Sequence, residues 1–211
     1  MSVRVPCELI SWSAFYRLCQ ILASRINDSG YRPDMIVAIG RGGWMPARVL
    51  ADFFGVMDLT GFNIVHYRRS HMEPKAQIKY PLSVDLDDRR VLLVDDVSDS
   101  GDTFELALDH IGKHGTPEKI RTAALHHKIA SRFVPDFYAA RIVKWRWIIY
   151  PWALCEDIST FIREMEPSPA SVKEIEQRLE EGYGIRLAQR QLHNLLSIME
   201  RENSWTSHLP N

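Results

Sequence analysis

Four acidic residues surround a Ser-Gly pair in the segment Val91-Leu-Leu-Val-Asp-Asp-Val-Ser-Asp-Ser-Gly-Asp-Thr103 of this 211-residue sequence. The adjacent carboxylates of Asp95 and Asp96 can accept hydrogen bonds from vicinal hydroxyls or help to hold a metal-bound polyol. The turn at 100–103 opens a predicted helix, where free backbone N–H groups and the helix dipole favour a phosphate. The segment therefore predicts adjoining polyol and phosphate sites, with Asp99 as a further acid between them. One alternative is an acidic strand-to-helix turn without function, which four acids around a Ser-Gly pair disfavour. A metal-only carboxylate cluster is a second alternative, but it explains the phosphate-type turn less well.

A second glycine loop, Ile39-Gly-Arg-Gly-Gly-Trp44, follows another short apolar run. In isolation this loop is equally typical of a tight turn, and it lacks the third glycine of a dinucleotide loop because position 45 is Met. Arg41 beside Gly42 and Gly43 also suits an anion, since backbone amides can approach the anion while the guanidinium clamps it.

Both loops belong to an alternation of strands and helices along most of the chain. We predict helices at 9–29, 44–54 and 103–114, strands at 34–39, 61–67, 91–94, 120–125 and 137–142, an acidic turn at 95–102 and a loop at 68–82. The alternation implies right-handed crossovers and an α/β fold with a doubly wound, mostly parallel sheet flanked by helices. In such sheets ligands bind beyond the carboxyl ends of the strands, where both glycine loops lie.

Composition argues against several classes of protein. Net charge is −1 and no block of lysine or arginine stands out, which disfavours non-specific nucleic-acid binding. No apolar run reaches the roughly 18 residues that a membrane-spanning helix needs. Cys7, Cys19 and Cys155 are odd in number and far apart, which argues against a disulfide framework and paired-cysteine zinc sites. We therefore expect a cytoplasmic protein with no membrane association.

The segment at 91–103 resembles the motif with which phosphoribosyltransferases bind 5-phosphoribosyl-1-pyrophosphate (PRPP). Four apolar residues, two acids and two variable positions precede Asp-Ser-Gly-Asp-Thr. The resemblance implies that Asp95 and Asp96 bind the ribose hydroxyls and organise Mg²⁺ with PRPP, and that Asp99 is a general acid/base near the purine N7. It also implies phosphate and pyrophosphate sites. The residues implied for the 5′-phosphate are Ser100, Gly101, Asp102 and Thr103, and those for pyrophosphate are Arg41, Gly42 and Gly43.

A third segment, Trp147-Ile-Ile-Tyr-Pro-Trp152, resembles a stretch of the 6-oxopurine phosphoribosyltransferases, especially the xanthine–guanine type. The resemblance implies that the Trp147 ring stacks on the purine, that the Ile148 backbone reads its edge and that Lys128 donates to the purine O6. Taken alone, Trp147 is more typical of core packing and Lys128 of a surface lysine. Both residues argue against adenine or a pyrimidine as the acceptor.

The predicted metal site has one departure from related purine enzymes. Cys155 stands where those enzymes can carry a metal-binding aspartate. Glu156 or Asp157 is then the alternative metal ligand, in addition to Asp95 and Asp96.

The resemblance covers roughly residues 8–160. It implies Mg²⁺-dependent transfer of phosphoribose from PRPP to N9 of hypoxanthine, guanine or xanthine, with release of pyrophosphate, by a homodimer or tetramer acting in purine salvage. We predict a phosphoribosyltransferase domain at 1–165 and a helical extension at 166–211. A mobile lid loop is predicted at 68–83, and its polar residues are Arg68, Arg69, Lys75, Lys79 and Tyr80.

The last 46 residues leave one alternative function open, a PRPP-sensing regulator that binds nucleic acid. Predicted helices at 171–181 and 188–201, separated by Gly182-Tyr-Gly184, could belong to a helix-turn-helix. The first of them is acidic, however, and would repel phosphates. Its apolar spacing favours a packed cap or a subunit contact, so nucleic acid is not the expected partner.

Overall fold

The computed structural model describes residues 5–67 and 75–206. Two compact units are present: Ser13–Trp145, called the sheet unit here, and residues 5–12 with 146–206, called the helical unit. The strands are β1 (Cys7–Leu9), β2 (Met35–Gly40), β3 (Asp58–Tyr67), β4 (Lys75–Tyr80), β5 (Arg90–Ser98), β6 (Lys119–Lys128), β7 (Phe137–Ile142) and β8 (Trp147–Ile149). The helices are α1 (Trp12–Asp28), α2 (Trp44–Phe54), α3 (Asp102–Gly112), α4 (Leu154–Arg163), α5 (Val172–Tyr183) and α6 (Gln189–Thr206).

The sheet unit contains a six-stranded sheet in the order β4-β3-β2-β5-β6-β7. Every neighbouring pair is parallel except β3 and β4, which are antiparallel. Residues Met35–Gly40 of β2 are all buried, as expected for an apolar parallel strand that is covered on both faces. The structure thus confirms the predicted α/β fold with a mostly parallel sheet flanked by helices.

Apolar residues of the central strands and α3 form the core of this unit. Val37, Val91 and Leu93 are fully buried there, together with Phe104 and Ile111 of α3. Helix α2 has the bounds that the sequence predicts and ends at Gly55, whose φ of 65° is the left-handed conformation that glycine tolerates best. The core therefore fixes the carboxyl ends of β2 and β5, where the glycine loops begin.

Two predictions about this unit are wrong in part. Lys75–Tyr80 form β4, where the sequence analysis expects a loop. Ala76 and Ile78 pack against the core while Gln77 and Lys79 are exposed, so a strand-like alternation was present but obscured by polar residues. The side chains of Arg68 and Arg69 in the predicted lid lie outside the described residues.

The strand predicted at 91–94 is also longer than expected. β5 continues to Ser98, because residues 95–98 stay paired with β6 as far as the Ser98–His127 pair. Asp95 and Asp96 therefore lie on the strand and not in the following turn.

The helical unit contains a two-stranded parallel sheet of β1 and β8 and the three helices α4, α5 and α6. The sequence patterns predict α5 and α6 but not β1, β8 or α4. Gly182 and Tyr183 lie within α5, and Gly184 (φ 71°) ends it. Ile149 and Ile158 share one core with Leu179 and Leu192, so this unit extends on both sides of the domain boundary predicted at residue 165. Within residues 5–67 and 75–206, no helix is both long and apolar enough to cross a membrane.

Candidate active site

The acidic pair of the candidate site lies at the carboxyl end of the central strand β5. Asp95 is only 8% exposed, and the Asp96 backbone N–H donates to Asp95 Oδ1 at 2.9 Å. Burial, followed by the neighbouring charge of Asp96, raises the pKa of Asp95 well above its usual value. A hydroxyl that donates to these carboxylates carries no positive charge, so an ionised Asp95 stays buried beside Asp96 without a counter-charge. A cation nearby would stabilise the ionised form of both carboxylates.

The glycine loop after β2 contacts this end of β5 directly. A Cβ atom on Gly42 would lie 2.2 Å from Asp96 Oδ2, and one on Gly43 would lie 2.3 Å from the Val94 carbonyl oxygen. Only glycine allows both approaches without displacement. Arg41, which follows a cis peptide bond, is exposed. The structure therefore brings the predicted pyrophosphate loop next to the predicted ribose-binding acids.

The predicted phosphate turn connects β5 to α3. Gly101 has a φ of 100°, and a Cβ atom there would lie 2.7 Å from the backbone nitrogen of Phe133. Gly101 provides no side-chain cap for α3, which begins at Asp102, while the Asp102 backbone N–H donates to Ser100 Oγ at 3.3 Å. Thr103 lies in the first turn of the helix. The turn thus has the features of an anion site: a helix N-terminus, a bare glycine and a hydroxyl.

Arg132, which lies after β6, contacts this turn and is not identified from the sequence. Its guanidinium pairs with Asp102 Oδ1 and lies 3.6 Å from Glu105 Oε2, and its backbone N–H donates to the Ser100 carbonyl at 3.0 Å. Its positive charge offsets two carboxylates that would otherwise repel a phosphate at the start of α3. The only sequence signal is a basic residue shortly after a predicted strand, which is too common to be informative.

Asp99 and Lys128 meet because β5 and β6 are neighbours in register. Ser98, the last residue of β5, pairs with His127, so Asp99 directly after β5 lies beside Lys128 at the end of β6. Lys128 Nζ donates to Asp99 Oδ2 at 2.6 Å. Lys128 is only 2% exposed, so it is not a solvated surface lysine. The structure thus joins the predicted acid/base and the predicted purine O6 donor in one ion pair.

Trp145 contacts both residues of this ion pair and is likewise not identified from the sequence. Its indole Nε1–H donates to Asp99 Oδ1 at 3.3 Å, and Lys128 Nζ lies 4.6 Å from the centroid of its ring. The neighbouring motif at 147–152 gives no indication of Trp145, because the contacts depend on how the segment after β7 reaches the end of β5.

Trp147 and Ile148 lie on β8 in the helical unit. Ile148 is buried, and Trp147 is partly exposed and donates its backbone N–H to the Pro6 carbonyl at 2.8 Å. Glu156 and Asp157 lie in the first turn of α4. Among the described residues, no three His, Cys, Asp or Glu side chains form a group suited to a metal ion. The purine and metal roles of these four residues stay predictions.

Residues 8–158 match the sequence family described as the phosphoribosyl transferase domain. The chain belongs to this enzyme family. The resemblance at 91–103 is therefore confirmed at the level of the family.

Several relatives are named as purine phosphoribosyltransferases. A xanthine-guanine phosphoribosyltransferase from Cereibacter sphaeroides is 28% identical over 161 residues, covering 72% of this chain and 92% of the relative. A purine phosphoribosyltransferase from Pyrococcus horikoshii, known from its crystal structure, is 34% identical in sequence and matches with a TM-score of 0.62. The match covers 69% of this chain and 93% of the Pyrococcus chain. A Neisseria gonorrhoeae protein solved with bound ppGpp is 27% identical with a TM-score of 0.62, covering 76% and 97%. This phosphoribosyltransferase thus shares its fold with enzymes that act on purines.

Proposed function

We propose that this phosphoribosyltransferase transfers the phosphoribosyl group of PRPP to N9 of a 6-oxopurine, which is hypoxanthine, guanine or xanthine. The products are the nucleoside monophosphate and pyrophosphate. The observation that carries the proposal is the ion pair between buried Lys128 and Asp99 beside the PRPP motif. An ammonium has three donors and no acceptor, so it favours a 6-oxo group over the 6-amino group of adenine. The names of the purine relatives support the same class of acceptor.

The residues of β5 suit a PRPP complex with Mg²⁺. Mg²⁺ is usually held by one or two carboxylates together with substrate phosphates, and Asp95 with Asp96 offers such a pair. The raised pKa of Asp95 fits a site whose full ionisation depends on a cation. The ion, when bound, would neutralise charge on the departing pyrophosphate. Glu156 or Asp157 remains the candidate for a further ligand.

Each remaining group has a separate task in the proposed reaction. Asp95 and Asp96 orient the ribose hydroxyls and favour positive charge at C1 as the bond to pyrophosphate breaks. Asp99 handles the proton at the purine N7, and positioned proton transfer of this kind contributes about 10²–10⁴-fold to the rate. Trp147 stacks on the base and the Ile148 backbone reads its edge. The pyrophosphate contacts come from Arg41, Gly42 and Gly43, and the 5′-phosphate contacts from Ser100, Gly101, Asp102 and Thr103.

A cytoplasmic location, purine salvage and a homodimer or tetramer belong to the same proposal. The alternative of a nucleic-acid-binding PRPP sensor has no support among the relatives named above. Helix α5 is also acidic at Glu174, Glu176 and Glu180, which disfavours contact with phosphates.

The first test is nucleotide formation from PRPP and Mg²⁺ with hypoxanthine, guanine, xanthine, adenine and uracil in separate reactions. We expect turnover with 6-oxopurines alone. Asp99→Asn should lose turnover but still bind PRPP, whereas Asp109→Asn, on the exposed part of α3, should behave as wild type. Turnover with adenine or uracil, or unchanged turnover in Asp99→Asn, would contradict the proposal.

The same site is a candidate for a guanine nucleotide with two diphosphates, because the Neisseria relative was solved with ppGpp. We expect ppGpp to compete with PRPP in the same assay. Inhibition that excess PRPP does not relieve would place ppGpp elsewhere.

A further inference from the structure

Lys128 is a buried cation that contacts two side chains at the end of the sheet. Its Nζ atom donates to Asp99 Oδ2 at 2.6 Å and lies 4.6 Å from the centroid of the Trp145 ring. A cation within about 6 Å of an indole face is attracted by the negative face of the ring. A buried ammonium needs such partners, because burial removes its hydration. The Trp145 ring therefore stabilises Lys128 in this position.

Both carboxylate oxygens of Asp99 are hydrogen-bonded. Lys128 takes Oδ2, and the indole N–H of Trp145 donates to Oδ1 at 3.3 Å. The Asp99 side chain is 42% exposed, and the terminal torsion of an aspartate is broad when nothing holds it. Two donors from different segments restrict the rotation of the carboxylate plane. Trp145 thus contacts both members of the pair at once.

Core packing does not explain a tryptophan at this position. Trp145 is 47% exposed and lies in the connection between β7 and β8, where Val143 is exposed as well. A large ring that is half exposed to solvent contributes little to the core. The main structural role of Trp145 is therefore to contact Asp99 and Lys128.

We infer that Trp145 is a positioning residue for the reaction: its N–H orients the Asp99 carboxylate, and its ring holds the Lys128 ammonium where the purine binds. This role rests on the proposed function, because it assigns Asp99 to proton transfer and Lys128 to the purine O6. The two contacts act on different steps. Loss of the N–H donor affects turnover, and loss of the ring affects binding of the base.

Two substitutions separate the contacts. Trp145→Phe keeps a ring for Lys128 and removes the donor to Asp99. Trp145→Gln removes the ring and keeps an amide N–H as many bonds from Cα as the indole N–H. Val143→Ala is the matched control in the same segment. Thermal unfolding of each variant checks that the exposed substitutions leave the fold intact.

We expect Trp145→Phe to lower kcat about tenfold, the loss typical of a hydrogen bond to a charged group, with the KM for the purine close to wild type. We expect Trp145→Gln to raise that KM about fivefold, as the loss of a partly desolvated cation–π contact would, with kcat largely kept. The KM for PRPP should not change in either variant.

Wild-type values of kcat and of the KM for the purine in both variants would overturn the inference. The same fall in kcat and the same rise in this KM in both variants would also overturn it. Absence of turnover with any purine in the wild type would instead overturn the proposed function, and this role with it. The two failures are therefore distinguishable.

Discussion

The carboxylate of Asp96 lies against the backbone of Gly42, so closely that a Cβ atom on the glycine would lie 2.2 Å from Asp96 Oδ2. These residues are far apart in the sequence and meet because β2 and β5 pair directly, with Ala38 opposite Val94. The proposed pyrophosphate loop and the proposed ribose-binding acids therefore form one continuous surface, and a change in either one displaces the other.

Gly42→Ala should impair PRPP binding more than stability. The added methyl group collides with the end of a side chain, which can rotate away at a cost of about 1 kcal/mol. The rotation moves Asp96 from the place where we expect the ribose hydroxyls. We predict at least a roughly tenfold rise in the KM for PRPP, the effect of losing a charged hydrogen-bond partner. Steady-state kinetics at saturating purine measures it, and a wild-type KM would contradict the proposed role of Asp96.

Gly43→Ala should impair stability more than PRPP binding. Its Cβ would lie 2.3 Å from the Val94 carbonyl oxygen and 2.6 Å from that of Ile39, and backbone atoms cannot rotate away. We predict a loss of about 3 kcal/mol in the free energy of unfolding, at the upper end for overpacking. Urea denaturation measures the loss.

The control for both glycine variants is Gly112→Ala at the end of α3, where an added Cβ meets no atom within 4 Å. It should leave the KM for PRPP unchanged and keep or slightly raise stability, because alanine favours a helix. A loss in this control as large as in Gly43→Ala would show that steric contact is not the cause.

The acidic and glycine segments could be predicted from the sequence because strand, turn and helix follow one another locally. The extent of β5 was missed because Asp95 and Asp96 break the apolar run, although pairing with β6 continues to Ser98. Strands β1 and β8 are three residues each, and they pair with each other although they lie far apart in the sequence. No local sequence pattern therefore predicts them. Trp145 was missed for the same reason, since its role depends on a contact formed only by folding.

Arg132→Ala should weaken PRPP binding through charge. The guanidinium is 66% exposed and offsets Asp102 and Glu105 at the start of α3, so its loss leaves two carboxylates near the proposed 5′-phosphate. We predict a rise in the KM for PRPP of about three- to tenfold at low ionic strength that shrinks as salt screens the charges. Lys113→Ala, which breaks an exposed ion pair with Asp109 at the other end of the helix, should have no effect. A salt-independent change would mean that Arg132 acts by packing.

Asp95→Asn should stabilise the protein without PRPP while abolishing turnover. Burial and the charge of Asp96 raise the pKa of Asp95 in the folded state, so the folded protein holds this proton at pH values where the unfolded chain has released it. The stability that depends on this proton is fully present below about pH 4, the unfolded pKa, and is lost as pH rises toward the folded pKa. The asparagine carries no charge at any pH and removes this loss.

We therefore expect wild type and Asp95→Asn to unfold at similar urea concentrations near pH 4, and the variant to gain about 1–3 kcal/mol over wild type at pH 8, on the order of the cost of burying a polar group. Asp109→Asn, an exposed carboxylate on α3, should show no pH-dependent gain. Because Asp95 should be ionised when Mg²⁺ and PRPP are bound, adding both should stabilise the wild type at pH 8 and not the variant. A variant that is less stable than wild type at pH 8 would show that the Asp95 charge is already compensated in the free protein, and that no cation is needed to complete the site.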